Sequence, residues 1–252
     1  MTLTPTPPPT PTPLDAVTPG QRRAIAIAEC LLCSSLPTQL LLQSAWVQTG
    51  WAYETAPGIP TLPFVVTVSL ADTVLLIALM VILTRAHGER VSALWLGRVS
   101  RLREALLGLA LVPLVFVLVA VVLNVLRLYA PWLHNVATNP LEELAAGGAM
   151  NAALFGAVAI FAGGVREELQ RAFLLRRFER HLGGSAVGVV VLSVLFGAGH
   201  FLQGWDAMVV TGTLGGFWAI LYLRRRSSIA PIVSHAGFNS LEVLRVAIIG
   251  TP

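Results

Sequence analysis

Two adjacent glutamates, Glu167 and Glu168, stand just before Arg171, and two histidines, His200 and His235, lie in otherwise apolar stretches. These residue types suit the activation of water. A carboxylate can take a proton from water, an imidazole can orient that water or bind a metal, and a second imidazole or an amide can donate to a developing oxyanion. His235 and Asn239 are four apart, so a helix places both on one face. Glu167 and Arg171 are also four apart and are expected to pair. Each feature has a bland reading beside the chemical one. Charges at a helix end can snorkel to water, and a lone histidine among apolar residues is more often a satisfied core group than a ligand.

Composition decides how much weight these residues carry. Of 252 residues, 55% are hydrophobic and 12% charged, with a mean hydropathy of +0.74, which excludes an ordinary soluble domain. Each ionisable group at membrane depth costs about 2.5 to 3.5 kcal/mol on insertion scales, so each needs a partner or a job. The candidates are Glu29, Asp72, Arg166, Glu167, Glu168, Arg171, His200, His235 and Glu242. Asp72 and Glu29 stand alone in sequence and read as groups that hydrogen-bond one helix to another.

Seven stretches are apolar enough to span a bilayer: approximately Arg23 to Val47, Leu62 to Thr84, Ala105 to Leu126, Gly147 to Leu175, Ala186 to His200, Asp206 to Leu223 and Ile229 to Ile249. The fold class expected is all-α, a polytopic bundle of seven helices, or eight. Every one of the 17 basic residues is Arg, and arginines collect before the first stretch and after the second, fourth and sixth. That alternation predicts a cytoplasmic N-terminus and, with seven spans, an external C-terminus. It also accounts for the net charge of +4 and pI near 9.8 without a nucleic-acid partner.

Residues 1–20 read as a disordered Thr/Pro-rich cytoplasmic tail, and 21–252 as a single transmembrane domain. Two interfacial helices are expected, one opened by Asn139-Pro140 and one over Val91 to Arg103. Cys30 and Cys33 have no second pair to complete a zinc site and read as inert packing. If the fourth and fifth stretches form a hairpin turning at Gly183 and Gly184, Glu167 and His200 each lie about 16 residues from the turn, roughly 24 Å. They would then share a level, and His235 would match it if that hairpin projects about 10 Å beyond the next turn.

The succession of Glu-Glu with Arg, Phe196-x-x-x-His200 and His235-x-x-x-Asn239 resembles the CPBP family of CAAX-processing and bacteriocin-immunity peptidases, over about residues 147–244. Phe173-Leu174-Leu175 and Ile229-Ala230-Pro231-Ile232 are also family-like. The family usually has Glu-Glu-x-x-x-Arg followed by Gly, whereas here the spacing is one shorter and Ala172 follows. Two alignments compete, and in both Glu167 falls on a family glutamate.

The resemblance implies an intramembrane endopeptidase that cleaves a membrane-associated protein or peptide near the cytoplasmic face, in the plasma (inner) membrane of a bacterium. Glu167, with Glu168 second, would be the base and His200 would orient the water. His235 and Asn239 would hold the oxyanion, and Arg171 would position a glutamate. Zinc on His200, His235 and Glu167 and metal-free glutamate catalysis both accommodate these residues. The chain has no His-Glu-x-x-His, Gly-x-Gly-Asp or Gly-x-Ser-x-Gly. The alternatives are a non-catalytic scaffold or immunity protein of the same fold and a small proton-coupled transporter.

Overall fold

The computed structural model describes residues 17–56, 58–137 and 139–250. Most of the expected Thr/Pro-rich tail, residues 1–16, lies outside the described residues. The first helix, α1 (Pro19–Leu32), is opened by a reciprocal cap in which Thr18 and Gln21 satisfy each other's backbone N–H groups.

The chain is an all-α bundle, as its hydropathy predicts. After α1 come α2 (Leu36–Gln48), α3 (Leu62–Ala86), α4 (Val91–Trp95), α5 (Arg101–Tyr129) and α6 (Pro140–Ala146). Then α7 (Ala149–Val158), a π-helical segment (Ala159–Arg166) and α8 (Glu167–His181) run on as one long helix. The chain ends with α9 (Ser185–Ala198), α10 (Trp205–Arg225) and α11 (Ile229–Ile249). Among the described residues the only sheet is a small antiparallel pair, β1 (Glu54–Ala56) with β2 (Ile59–Pro60).

By length and composition, 6 segments can cross a membrane: Pro19–Gln48, Leu62–Ala86, Arg101–Tyr129, Ala149–His181, Trp205–Arg225 and Ile229–Ile249. The seventh expected span, α9, has 14 residues. It reaches only about 21 Å, short of the roughly 30 Å of a hydrocarbon core. Glycines bound it: Gly184 opens it at φ 95°, and a Cβ on Gly197 would come within 2.4 Å of the Met208 carbonyl on α10.

The first expected span is not one helix. It breaks at residues 33–35, where Ser35 adopts a left-handed conformation (φ 74°). Pro37 fits the break, because it sits in the first turn of α2 and has no N–H to offer the Cys33 carbonyl four residues back. Ser34 stitches the ends: its hydroxyl donates to the Leu31 carbonyl and accepts from the Leu36 N–H.

Of the two expected interfacial helices, α6 forms where Asn139 caps the Leu141 N–H. The stretch from Val91 to Arg103 does not form one helix. Its ordered turn α4 ends at Trp95, whose buried indole N–H donates to the Leu169 carbonyl on α8.

One end of the bundle is sealed by ion pairs that account for many of the loop arginines. Glu29 meets His87 and Arg177, Glu89 meets Arg176, Arg177 and Arg180, Glu104 meets Arg225, and Glu179 meets Arg226. Glu29 therefore does link helices, as its isolation in sequence suggested.

Candidate active site

The π segment is where the site begins. A widened turn releases backbone groups from the regular ladder, and such carbonyls need other partners. Here the Asn239 amide on α11 donates to the Ala159 carbonyl at 3.1 Å. Gly163 and Gly164 let α11 come this close: a Cβ on Gly164 would lie 2.5 Å from the Ala236 Cβ, and one on Gly163 would lie 2.5 Å from the Asn239 amide nitrogen. His235, one turn before Asn239, is thereby delivered to the first turn of α8.

There Glu168, 2% exposed, uses a single oxygen twice. Its Oε1 accepts from Arg171 Nη1 at 2.8 Å and from His235 Nδ1 at 2.9 Å. The expected pairing of Arg171 with Glu167 is corrected: Arg171 holds Glu168, three residues away, while Arg166 takes Glu167. Aromatic rings fix the rest. Trp218 on α10 stacks on His235 at 3.7 Å with 15° between planes, and the Arg171 guanidinium lies over the Phe196 ring at 4.5 Å.

Glu167 is the more open carboxylate, its side chain 17% exposed against 1% for Glu168. Its Oε1 accepts from Arg166 Nη2 at 3.2 Å, and its Oε2 lies 4.0 Å from His235 Nε2. Because His235 Nδ1 donates to Glu168, Nε2 is the free acceptor of a neutral ring. Behind Arg166 stands Asp72, which pairs with it at 3.3 Å and also accepts from the hydroxyls of Ser35 and Thr38.

His200 sits just beyond α9 and donates from Nδ1 to the Phe196 carbonyl at 2.8 Å, which leaves Nε2 as its free nitrogen. The Phe196 ring stands between the two histidines, 4.9 Å from His200 and 6.3 Å from His235 by ring centroids. Where these two hairpins turn, Arg226 pairs with Glu179.

Two residues around the site, Ser35 and Trp218, carry no chemical signal in the sequence. Asp72 and Arg166 are flagged by the cost of burying charge, but their meeting depends on where α2 breaks. Trp218 lies in an apolar run like any core tryptophan.

Three carboxylates, Asp72, Glu167 and Glu168, thus meet two guanidiniums, Arg166 and Arg171, in a buried cluster. The proposed zinc ligands are a poorer fit. Among the described residues no group of three His, Cys, Asp or Glu is gathered closely enough to hold a metal ion, and His200, His235 and Glu167 do not form such a set.

These features define a polytopic integral membrane protein with a buried carboxylate–imidazole–guanidinium centre of the kind that can activate water. Residues 149–241 match the family model of type II CAAX prenyl endopeptidase Rce1-like proteins, which agrees with the CPBP resemblance of the sequence motifs. No curated protein and no solved structure matches it.

Proposed function

We propose that this protein is an intramembrane endopeptidase of the glutamate type, which hydrolyses a peptide bond of a membrane-associated protein or peptide near the cytoplasmic face. The observation that carries the reading is the 4.0 Å between Glu167 Oε2 and His235 Nε2. Two acceptors at that separation suit one water donating a hydrogen to each, with its lone pair turned outward. Glu167 then takes a proton as the water oxygen bonds to the substrate carbonyl carbon. The tetrahedral adduct collapses as that proton passes to the leaving amide nitrogen and the C–N bond breaks.

Glu168 and Arg171 hold the His235 tautomer, as a carboxylate orients a catalytic imidazole elsewhere. His200, across the Phe196 ring from His235, keeps its free Nε2 for the substrate. Asn239, whose amide is committed to Ala159, seats α11 and so sets the position of His235. With no gathered ligand set, no step is assigned to zinc.

The test is cleavage of a membrane-peptide reporter by purified protein in detergent or liposomes. Glu167→Gln keeps the shape and loses the base, and should lower kcat by about 10² to 10⁴. Cleavage by the wild type should survive a chelator. Unchanged cleavage by Glu167→Gln would remove that residue as the base, and loss with chelator would restore the metal. Folded wild-type protein that cleaves nothing would favour the scaffold reading, and proton-coupled solute flux the transporter.

A further inference from the structure

The break between α1 and α2 brings side chains from outside the family-matched segment against the Glu167 side of the site. Gln170 on α8 donates to the Cys33 carbonyl at 2.6 Å, and Arg166 Nη1 donates to the Ser35 hydroxyl at 2.9 Å, so the break is docked on the catalytic helix from both flanks. Ser35 is one of two described non-glycine residues with positive φ. Such a conformation persists in a serine only when its surroundings hold it. What holds it is the cluster itself: the Ser35 hydroxyl donates to Asp72 while accepting from Arg166 and from Gln39.

Asp72 is 1% exposed, and its neighbours use both of its oxygens. Arg166 is 8% exposed and divides its guanidinium between two carboxylates. Nη1 goes to Asp72 and Ser35 and Nη2 meets Glu167 Oε1, while the buried Nε has no partner. A guanidinium adjacent to a single carboxylate favours a fork in which two N–H groups take both oxygens. That fork would consume the Glu167 oxygen that faces His235.

We propose that Asp72 is a positioning residue for the hydrolytic reaction: by holding Arg166 through Nη1 it fixes the guanidinium where Nη2 alone meets Glu167, so that the unpartnered Nε does not complete a fork and Oε2 stays free toward His235. The inference rests on the reading of Glu167 as the base and extends the machinery to α3 and the α1–α2 break.

The test compares wild type with Asp72→Asn, Ser35→Ala and the double variant Asp72→Asn/Arg166→Gln, using steady-state cleavage of the reporter together with elution and thermal unfolding in detergent. Asp72→Asn keeps a polar side chain for the two hydroxyls but releases Arg166, and kcat should fall by about tenfold to a hundredfold with KM within about twofold, the scale on which a misplaced group costs rate. Ser35→Ala should fold normally and lower kcat by about threefold to tenfold for the same reason. In the double variant the gripping guanidinium is gone, so kcat should recover to at least about threefold above Asp72→Asn alone.

A merely structural role for Asp72 predicts no such recovery. The proposal is overturned if Asp72→Asn or Ser35→Ala turns over like the wild type, or if the double variant is at or below Asp72→Asn. Should Asp72→Asn fail to fold, Ser35→Ala alone decides. Wild-type protein that cleaves nothing would instead refute the hydrolytic reading.

Discussion

Glu168 gives one oxygen to both Arg171 and His235 in a site walled by Phe196 and Trp218, so its removal strands a guanidinium and an imidazole together. Breaking a buried ion pair from one side typically costs about 3 to 5 kcal/mol, because the remaining charge keeps its desolvation penalty. Glu168→Ala should be destabilised on that scale. Glu168→Gln retains an acceptor for Arg171 and should lose only about 1 to 3 kcal/mol. Thermal unfolding in detergent measures both, and equal stability of the two variants would show that Glu168 does not carry the cluster. At this scale the sequence was most informative, since membrane burial makes every ionisable residue conspicuous. It could not assign partners. Glu167 and Glu168 are chemically identical, and which of them faces Arg171 depends on the rotation that the π segment imparts to the start of α8.

Elements were legible where hydropathy sets them and illegible where backbone irregularity does. The end of α11 at Ile249, the ranges of α3 and α10 and the cap of α6 follow from apolar length and Asn139-Pro140. The α1–α2 break, the π turn and the shortness of α9 go with Pro37 and with paired glycines, whose effect depends on what packs against them. Gly163 and Gly164 make that dependence measurable. At Gly164 the obstacle is α11 itself, with the Ala236 Cα and N within 2.8 Å and 3.0 Å of an added Cβ, whereas at Gly163 it is the far end of the Asn239 side chain. Gly164→Ala should therefore push α11 away and cost about 1 to 3 kcal/mol, as overpacking does. Gly163→Ala should cost about 1 kcal/mol, the worth of the displaced Asn239 hydrogen bond. Unfolding midpoints for the pair, read beside cleavage rates, test this, and an equal cost at both positions would mean that helix contact does not set the site.

For the whole molecule, the arginines and the position of the site together predict on which side of the membrane the site lies. The Glu168–His235 contact lies six residues into α11, about 9 Å from its start, and so belongs to the half of the bundle that ends in the Arg-rich turns. Short loops rich in arginine stay on the cytoplasmic side. The carboxylate–imidazole cluster is therefore expected below the cytoplasmic surface, and the strands β1 and β2 on the outer side. Single cysteines at Tyr53 and at Arg98, in a protein whose Cys30 and Cys33 are replaced by alanine, report this directly. A membrane-impermeant maleimide applied to intact cells should label Tyr53→Cys, and it should label Arg98→Cys only after lysis. The reverse pattern would turn the molecule over, and a peptide bond presented from outside would then become the substrate to seek. With the expected pattern, Glu167 is to be approached from the cytoplasmic side of the bundle, where α9 is too short to fill the bilayer by itself and α8 and α10 end in arginines.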